Sequence, residues 1–111
     1  MSRFHQRLRK DLEDPEVAAD FYQMTAEIAL LQVLEEARKS LHLTEKELAE
    51  RMGTRRESVT RLFNAPDANP TLSTITSMLA ALGLRAEITL RPASPDEPPI
   101  EAKFVPSAET S

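Results

Sequence analysis

Apolar positions recur at helical spacing along most of this chain and switch to alternation only once. Phe4, Leu8 and Leu12 fall at i, i+4 and i+8, a weak one-face helical pattern. Asp14-Pro15 then reads as an N-cap followed by the first helical residue, where proline's fixed φ suits the first turn. Val17, Ala18, Phe21 and Met24 follow at helical spacing. Thr25 with Ile28, Leu31, Val33, Leu34 and Ala37 extends the pattern to about Leu41. Periodicity leaves open whether 15–41 is one bent helix or two.

The next stretch is the best punctuated. Thr44-x-x-Glu47 is a capping box, in which hydroxyl and carboxylate satisfy orphan amides reciprocally. Leu48, Ala49 and Met52 form the face expected to be buried, and Gly53 is the stop. Residues 55–64 repeat the helical pattern around Val59 and Leu62, and Pro66 ends it. Thr71 opens a further helix whose Leu72, Ile75, Leu79 and Leu82 share a face, with Gly83 as its C′ residue. From Leu84 to Leu90 apolar and polar residues alternate with period two, which predicts one short strand in a helical chain.

Two short helices joined by a Gly-containing turn describe a helix-turn-helix. Ala49 is small enough for the second helix to approach, Gly53 permits the turn, and Leu48, Val59 and Leu62 set the crossing. The second helix is then a rod of major-groove dimensions. With Val59 and Leu62 inward, Arg56, Glu57, Thr60, Arg61 and Asn64 point outward. Arginine can pair with guanine edges and threonine can meet a thymine methyl, while Arg55 and Lys46 are better placed for phosphates.

Charge at first opposes this picture. The 111 residues hold 14 Lys+Arg against 18 Asp+Glu, a formal net charge of −4. The acidity is unevenly spread, however. Five of the eight prolines lie in residues 92–111, a stretch expected to be an extended, solvated tail. Residues 93–111 carry Asp96, Glu97, Glu101 and Glu109 against Lys103, a net −3. Residues 38–62, by contrast, carry seven basic and four acidic side chains, a local +3. Arg3, Arg7, Arg9 and Lys10 make the N-terminal arm basic as well.

Composition narrows the remaining chemistry. The chain has no Cys or Trp and only two His, which excludes disulfide scaffolds and thiolate metal sites. There is no Ser/His/Asp set, phosphate-cradling glycine loop or metal-ligand spacing, so the expectation is a protein without enzyme activity, cofactor or metal. No stretch reaches membrane-span length, and no apolar leader block is visible, so a cytoplasmic protein without membrane contact is expected.

The run Leu43-Thr-Glu-Lys-Glu-Leu-Ala-Glu-Arg-Met-Gly-Thr-Arg-Arg-Glu-Ser-Val-Thr-Arg-Leu-Phe resembles the Xre-type, lambda-repressor-like helix-turn-helix family. Asn69-Pro-Thr-Leu-Ser-Thr-Ile and Ala80-Ala-Leu-Gly-Leu are similar to that family's fourth and fifth helices. The leader Asp14-Pro-Glu-Val-Ala-Ala-Asp-Phe-Tyr and Arg56-Glu57-Ser58 resemble, more narrowly, the HigA-like antitoxins of toxin–antitoxin operons. The likeness covers roughly residues 8–92. It implies an all-α, lambda-repressor-like five-helix bundle with an N-terminal helical extension. It also implies a homodimeric repressor that binds a palindromic double-stranded DNA operator and neutralises a small RelE/HigB-like ribonuclease toxin.

Carried over from the resemblance, the base-reading positions are Arg56, Glu57, Thr60 and Arg61. The phosphate-facing positions are Thr44, Glu45, Arg55, Asn69 and Thr71, joined by Lys46 and Asn64. The family usually has Gln where Glu45 stands, Ser where Arg55 stands and often Gly where Ala65 stands.

The predicted strand argues separately for a dimer, because a lone strand has no ladder partner within a helical monomer. Leu84, Ala86, Ile88 and Leu90 would share one side and form the interface across a two-fold. The alternative is that the segment packs as an extended stretch on its own bundle, or pairs with residues near the N-terminus. The expected organisation is an N-terminal helical extension over 1–24, a helix-turn-helix domain over 25–83, a dimerisation strand over 84–91 and a Pro-rich disordered tail over 92–111. Two other readings are an Xre-type regulator without a toxin and an interaction module that has lost its DNA contacts.

Overall fold

The computed structural model describes residues 13–65 and 69–106 and holds four helices: α1 (Pro15–Ser40), α2 (Glu45–Met52), α3 (Arg56–Asn64) and α4 (Leu72–Leu82). The N-terminal pattern of Phe4, Leu8 and Leu12, together with Pro66, lies outside the described residues.

α1 starts where Asp14 Oδ1 accepts from the Glu16 amide at 2.9 Å and Pro15 takes the first turn. It then runs unbroken through the expected domain boundary at 24/25. The Thr25 hydroxyl donates back to the Phe21 and Tyr22 carbonyls of the preceding turn and leaves the ladder intact. At 26 residues α1 is about 39 Å long, yet its buried residues, Leu34 and Ala37, lie toward its C-terminal end.

Three helices end in the same way. The Leu43 amide donates to the Arg38 carbonyl and His42 to Lys39. Thr54 donates to Ala49 and Gly53 to Glu50, and Leu84 to Leu79 and Gly83 to Ala80. These are Schellman closures. The pivotal residue is left-handed each time: Gly53 and Gly83 at φ 71°, and, without glycine's freedom, His42 at φ 57°. Arg38 reinforces the first closure, its Nη1 donating to the Leu43 carbonyl at 2.6 Å while its Nε pairs with Glu35 at 2.5 Å.

The core is a single cluster of Leu34, Ala37, Leu43, Leu48, Ala49, Val59, Met78 and Leu82. Leu48, Ala49 and Val59 fill the predicted crossing of α2 and α3, while Met52 and Leu62 pack around it half-buried. α4 corrects one reading. Leu72 is 80% exposed at its outermost turn, and Met78 is fully buried in its place, beside Ile75 and Leu79. Arg51 Nη1 donates to the Ala81 carbonyl at 3.2 Å and links α2 to α4.

Among the described residues there are four helices and no strand; the expected fifth helix and C-terminal strand are not shown there. Residues 84–91 carry no regular secondary structure and, among the described residues, no strand pairs with them. Leu84 packs against the core of its own chain, whereas Ala86, Ile88 and Leu90 are exposed. Beyond them, Ser94-Pro-Asp-Glu97 makes a turn, closed by the Glu97 amide donating to the Ser94 carbonyl at 3.0 Å. Phe104 is half-buried against the core cluster rather than solvated.

Candidate nucleic-acid interface

The candidate interface is built on α2 and α3 because local chemistry sets both. Thr44 Oγ1 accepts from the Glu47 amide and Glu47 Oε1 from the Thr44 amide, each at 3.0 Å, so the expected capping box is complete. Donation from the Thr44 amide favours the ionised carboxylate and lowers Glu47 from its ordinary value. Gly53 then turns the chain, and Val59, fully buried, pins α3 across α2.

With Val59 inward, the four base-reading candidates lie outward on α3. Arg56, Glu57 and Arg61 are exposed and Thr60 is half-buried. Together with Asn64 and Ala65 they line one shallow surface depression. Among the described residues, Arg56 and Arg61 enter no ion pair, so both guanidiniums stay available to an external acceptor.

The phosphate candidates are spread around this face. Thr44, Lys46, Arg55, Asn64, Asn69 and Thr71 are all exposed. Arg55 stands at the N-cap of α3, where its donor-only guanidinium cannot cap the helix, and among the described residues it enters no ion pair. Asn64 Nδ2 donates to the Thr60 carbonyl at 2.8 Å, so part of its capacity is used inside the helix. Thr71 Oγ1 accepts from the Thr74 amide at 3.1 Å as the N-cap of α4, and its oxygen also shares a 3.0 Å bond with Thr74 Oγ1.

One contact was not legible in the residue pattern. The Thr60 hydroxyl donates to Glu45 Oε1 at 3.1 Å, across fifteen residues, joining the start of α2 to the middle of α3. No spacing rule within a single helix predicts it, because it depends on how the two helices cross.

α1 has a different character. Residues 13–37 hold seven acidic side chains and no Lys, Arg or His. Val17, Met24 and Ile28 are exposed along that helix. A groove of about 630 Å³ between α1 and the end of α3 is lined by Met24, Ile28, Leu31, Leu62 and Phe63, with Glu27 among its polar residues. No helix among the described residues is long and apolar enough to cross a membrane.

No curated protein and no solved structure matches the chain. Residues 34–88 match the family model described as helix-turn-helix, a span that takes in the end of α1, all of α2, α3 and α4, and the start of the extended segment. The chain therefore carries an Xre-like helix-turn-helix domain, which suggests a DNA-binding transcriptional regulator.

Proposed function

We propose that this chain is a non-enzymatic transcriptional repressor that binds a palindromic operator as a homodimer and serves as the antitoxin of a small, basic RelE/HigB-like ribonuclease toxin. The observation that carries the DNA half of this reading is the outward, unpaired pair Arg56 and Arg61 on a helix pinned by Val59. Guanidinium groups so placed suit guanine O6 and N7 in the major groove. Thr44, Lys46, Arg55, Asn64, Asn69 and Thr71 surround them as the phosphate-contacting set.

Two observations support the remainder. Acidic α1, with its exposed Val17, Met24 and Ile28, suits a basic protein that brings apolar side chains. The extended segment around Ile88 and Leu90, 85% and 90% exposed, offers unpaired backbone to its copy in a second chain. Paired in that way, two α3 helices would stand about one DNA turn apart, roughly 34 Å.

The test has two arms. A gel-shift titration with the DNA upstream of the chain's own gene should give a salt-sensitive complex, and a flat titration sinks the repressor reading. Co-expression with the product of the adjacent reading frame should relieve that product's toxicity and yield a stable complex. Failure of the second arm alone leaves a regulator without a toxin.

A further inference from the structure

The Glu45–Thr60 bond changes what the α3 face can recognise. Glu45 opens α2 and Thr60 lies mid-way along α3, both half-buried where the two helices meet. Thr60 also lines the depression shared with Arg56, Glu57 and Arg61. A threonine hydroxyl has one proton to donate, and here it goes to Glu45 Oε1 at 3.1 Å. Thr60 is left with lone pairs and a methyl group, and the carboxylates of Glu45 and Glu57 accept only. Arg56 and Arg61 can only donate, whereas Glu57, Thr60 and, bonded to Thr60 at the crossing, Glu45 are left to accept; the Asn64 amide on the same face can do both.

We propose that the Glu45–Thr60 pair is a specificity determinant that selects a base bearing an exocyclic amino group in the major groove, the N4 amine of cytosine or the N6 amine of adenine. Either amine donates to the acceptor patch and compensates the carboxylate as it leaves water. At any other sequence the carboxylate meets acceptors and phosphates and gains no donor beyond Thr60, which weakens sequence-independent binding. The pair therefore widens the margin between operator and bulk DNA by penalising the wrong partner. This inference rests on the DNA-binding reading above.

The test begins with in vitro selection of duplexes from a randomised pool by wild-type protein, Glu45→Gln and Thr60→Val. Wild type should select cytosine or adenine at one position per half-site. Glu45→Gln should lose that preference and bind a mixed-sequence duplex about three- to tenfold more tightly, because one charge opposing the phosphates is gone. Thr60→Val, which keeps the branched shape without the proton, should relax the same position, and Thr60→Ser should retain the preference. Substituting 2-pyrimidinone for the selected cytosine, or purine for the selected adenine, removes only the amine and identifies which base supplies it. The proposal is overturned if wild type binds its selected site while Glu45→Gln keeps the same base preference and mixed-sequence affinity; the DNA-binding reading then survives. If wild type and Glu45→Gln both fail to bind any duplex at low salt, the two fall together.

Discussion

Arg38 Nη1 donates to the Leu43 carbonyl at 2.6 Å over the turn that ends α1, while its Nε holds Glu35. This half-buried guanidinium joins the long helix to the start of the helix-turn-helix unit. Arg38→Ala removes a charged donor from a backbone carbonyl and should cost about 2 kcal/mol of unfolding free energy in urea titrations. Arg38→Met, which restores the stem but not the donor, should recover only a minor part of it. Equal stability of wild type and Arg38→Ala would contradict the assigned role of this bond.

The three Schellman closures allow an opposed pair of substitutions. His42 occupies the left-handed position without glycine's freedom, so His42→Gly should stabilise the chain by about 1 kcal/mol. Gly53→Ala should lower stability by a similar amount. A Cβ there would have open space, so the expected loss is backbone strain at φ 71° alone. Calorimetric midpoints moving in opposite directions would bear this out.

For the proposed DNA contacts, Arg56→Ala and Arg61→Ala should each cost about 1–3 kcal/mol at the operator. Arg55→Ala should instead weaken all sequences alike and reduce the salt slope by about 1. Arg55 also leaves α3 without a side-chain cap, so Arg55→Ser should stabilise the fold by about 1 kcal/mol while weakening phosphate contact. Stability and affinity moving in opposite directions would separate the two roles.

Glu97 gives a pH signature. Arg91 and the Ser94 amide, which donates at 2.8 Å, favour its charged form and hold it at about 2, below its ordinary 4.5. A carboxylate depressed on folding contributes stability that is fully present above the unfolded value and is lost as pH falls from 4.5 toward 2. A carbon-13 carboxyl titration should place Glu97 near 2 in wild type and higher in Arg91→Gln. An unchanged Glu97 titration in that variant would remove Arg91 as the cause.

Much of the helix-turn-helix was legible because its signals are local. Thr44, Glu47 and Gly53 mark the bounds of α2 through bonds within one turn, and Leu48, Ala49 and Val59 belong to a crossing that tolerates few side-chain sizes. What escaped the pattern depends on distant parts of the chain. Leu72 has the periodicity of a core residue but sits on the outermost turn of α4, whereas Met78 meets the other helices. The alternation from Leu84 to Leu90 measures compatibility with a sheet, and a sheet also needs a second strand. Likewise, composition describes the average of a Pro-rich tail and is blind to a single anchoring ring at Phe104. At the site itself, exposure of Arg56 and Arg61 followed from helix periodicity, while the Glu45–Thr60 bond required the crossing geometry.

Phe104 has a topological consequence. Leu84 and Phe104 both rest on the core, so the nineteen residues from 85 to 103 are bounded by an anchor at either end. Ile88 and Leu90 are therefore displayed on a tethered loop instead of a free end. Losing Phe104 would release that loop and enlarge the conformational space that any partner strand must first collapse. A protease cutting at the loop's tip would leave two seated ends rather than shed a fragment. A single ring within the tail thus helps govern how ready the segment before it is to pair.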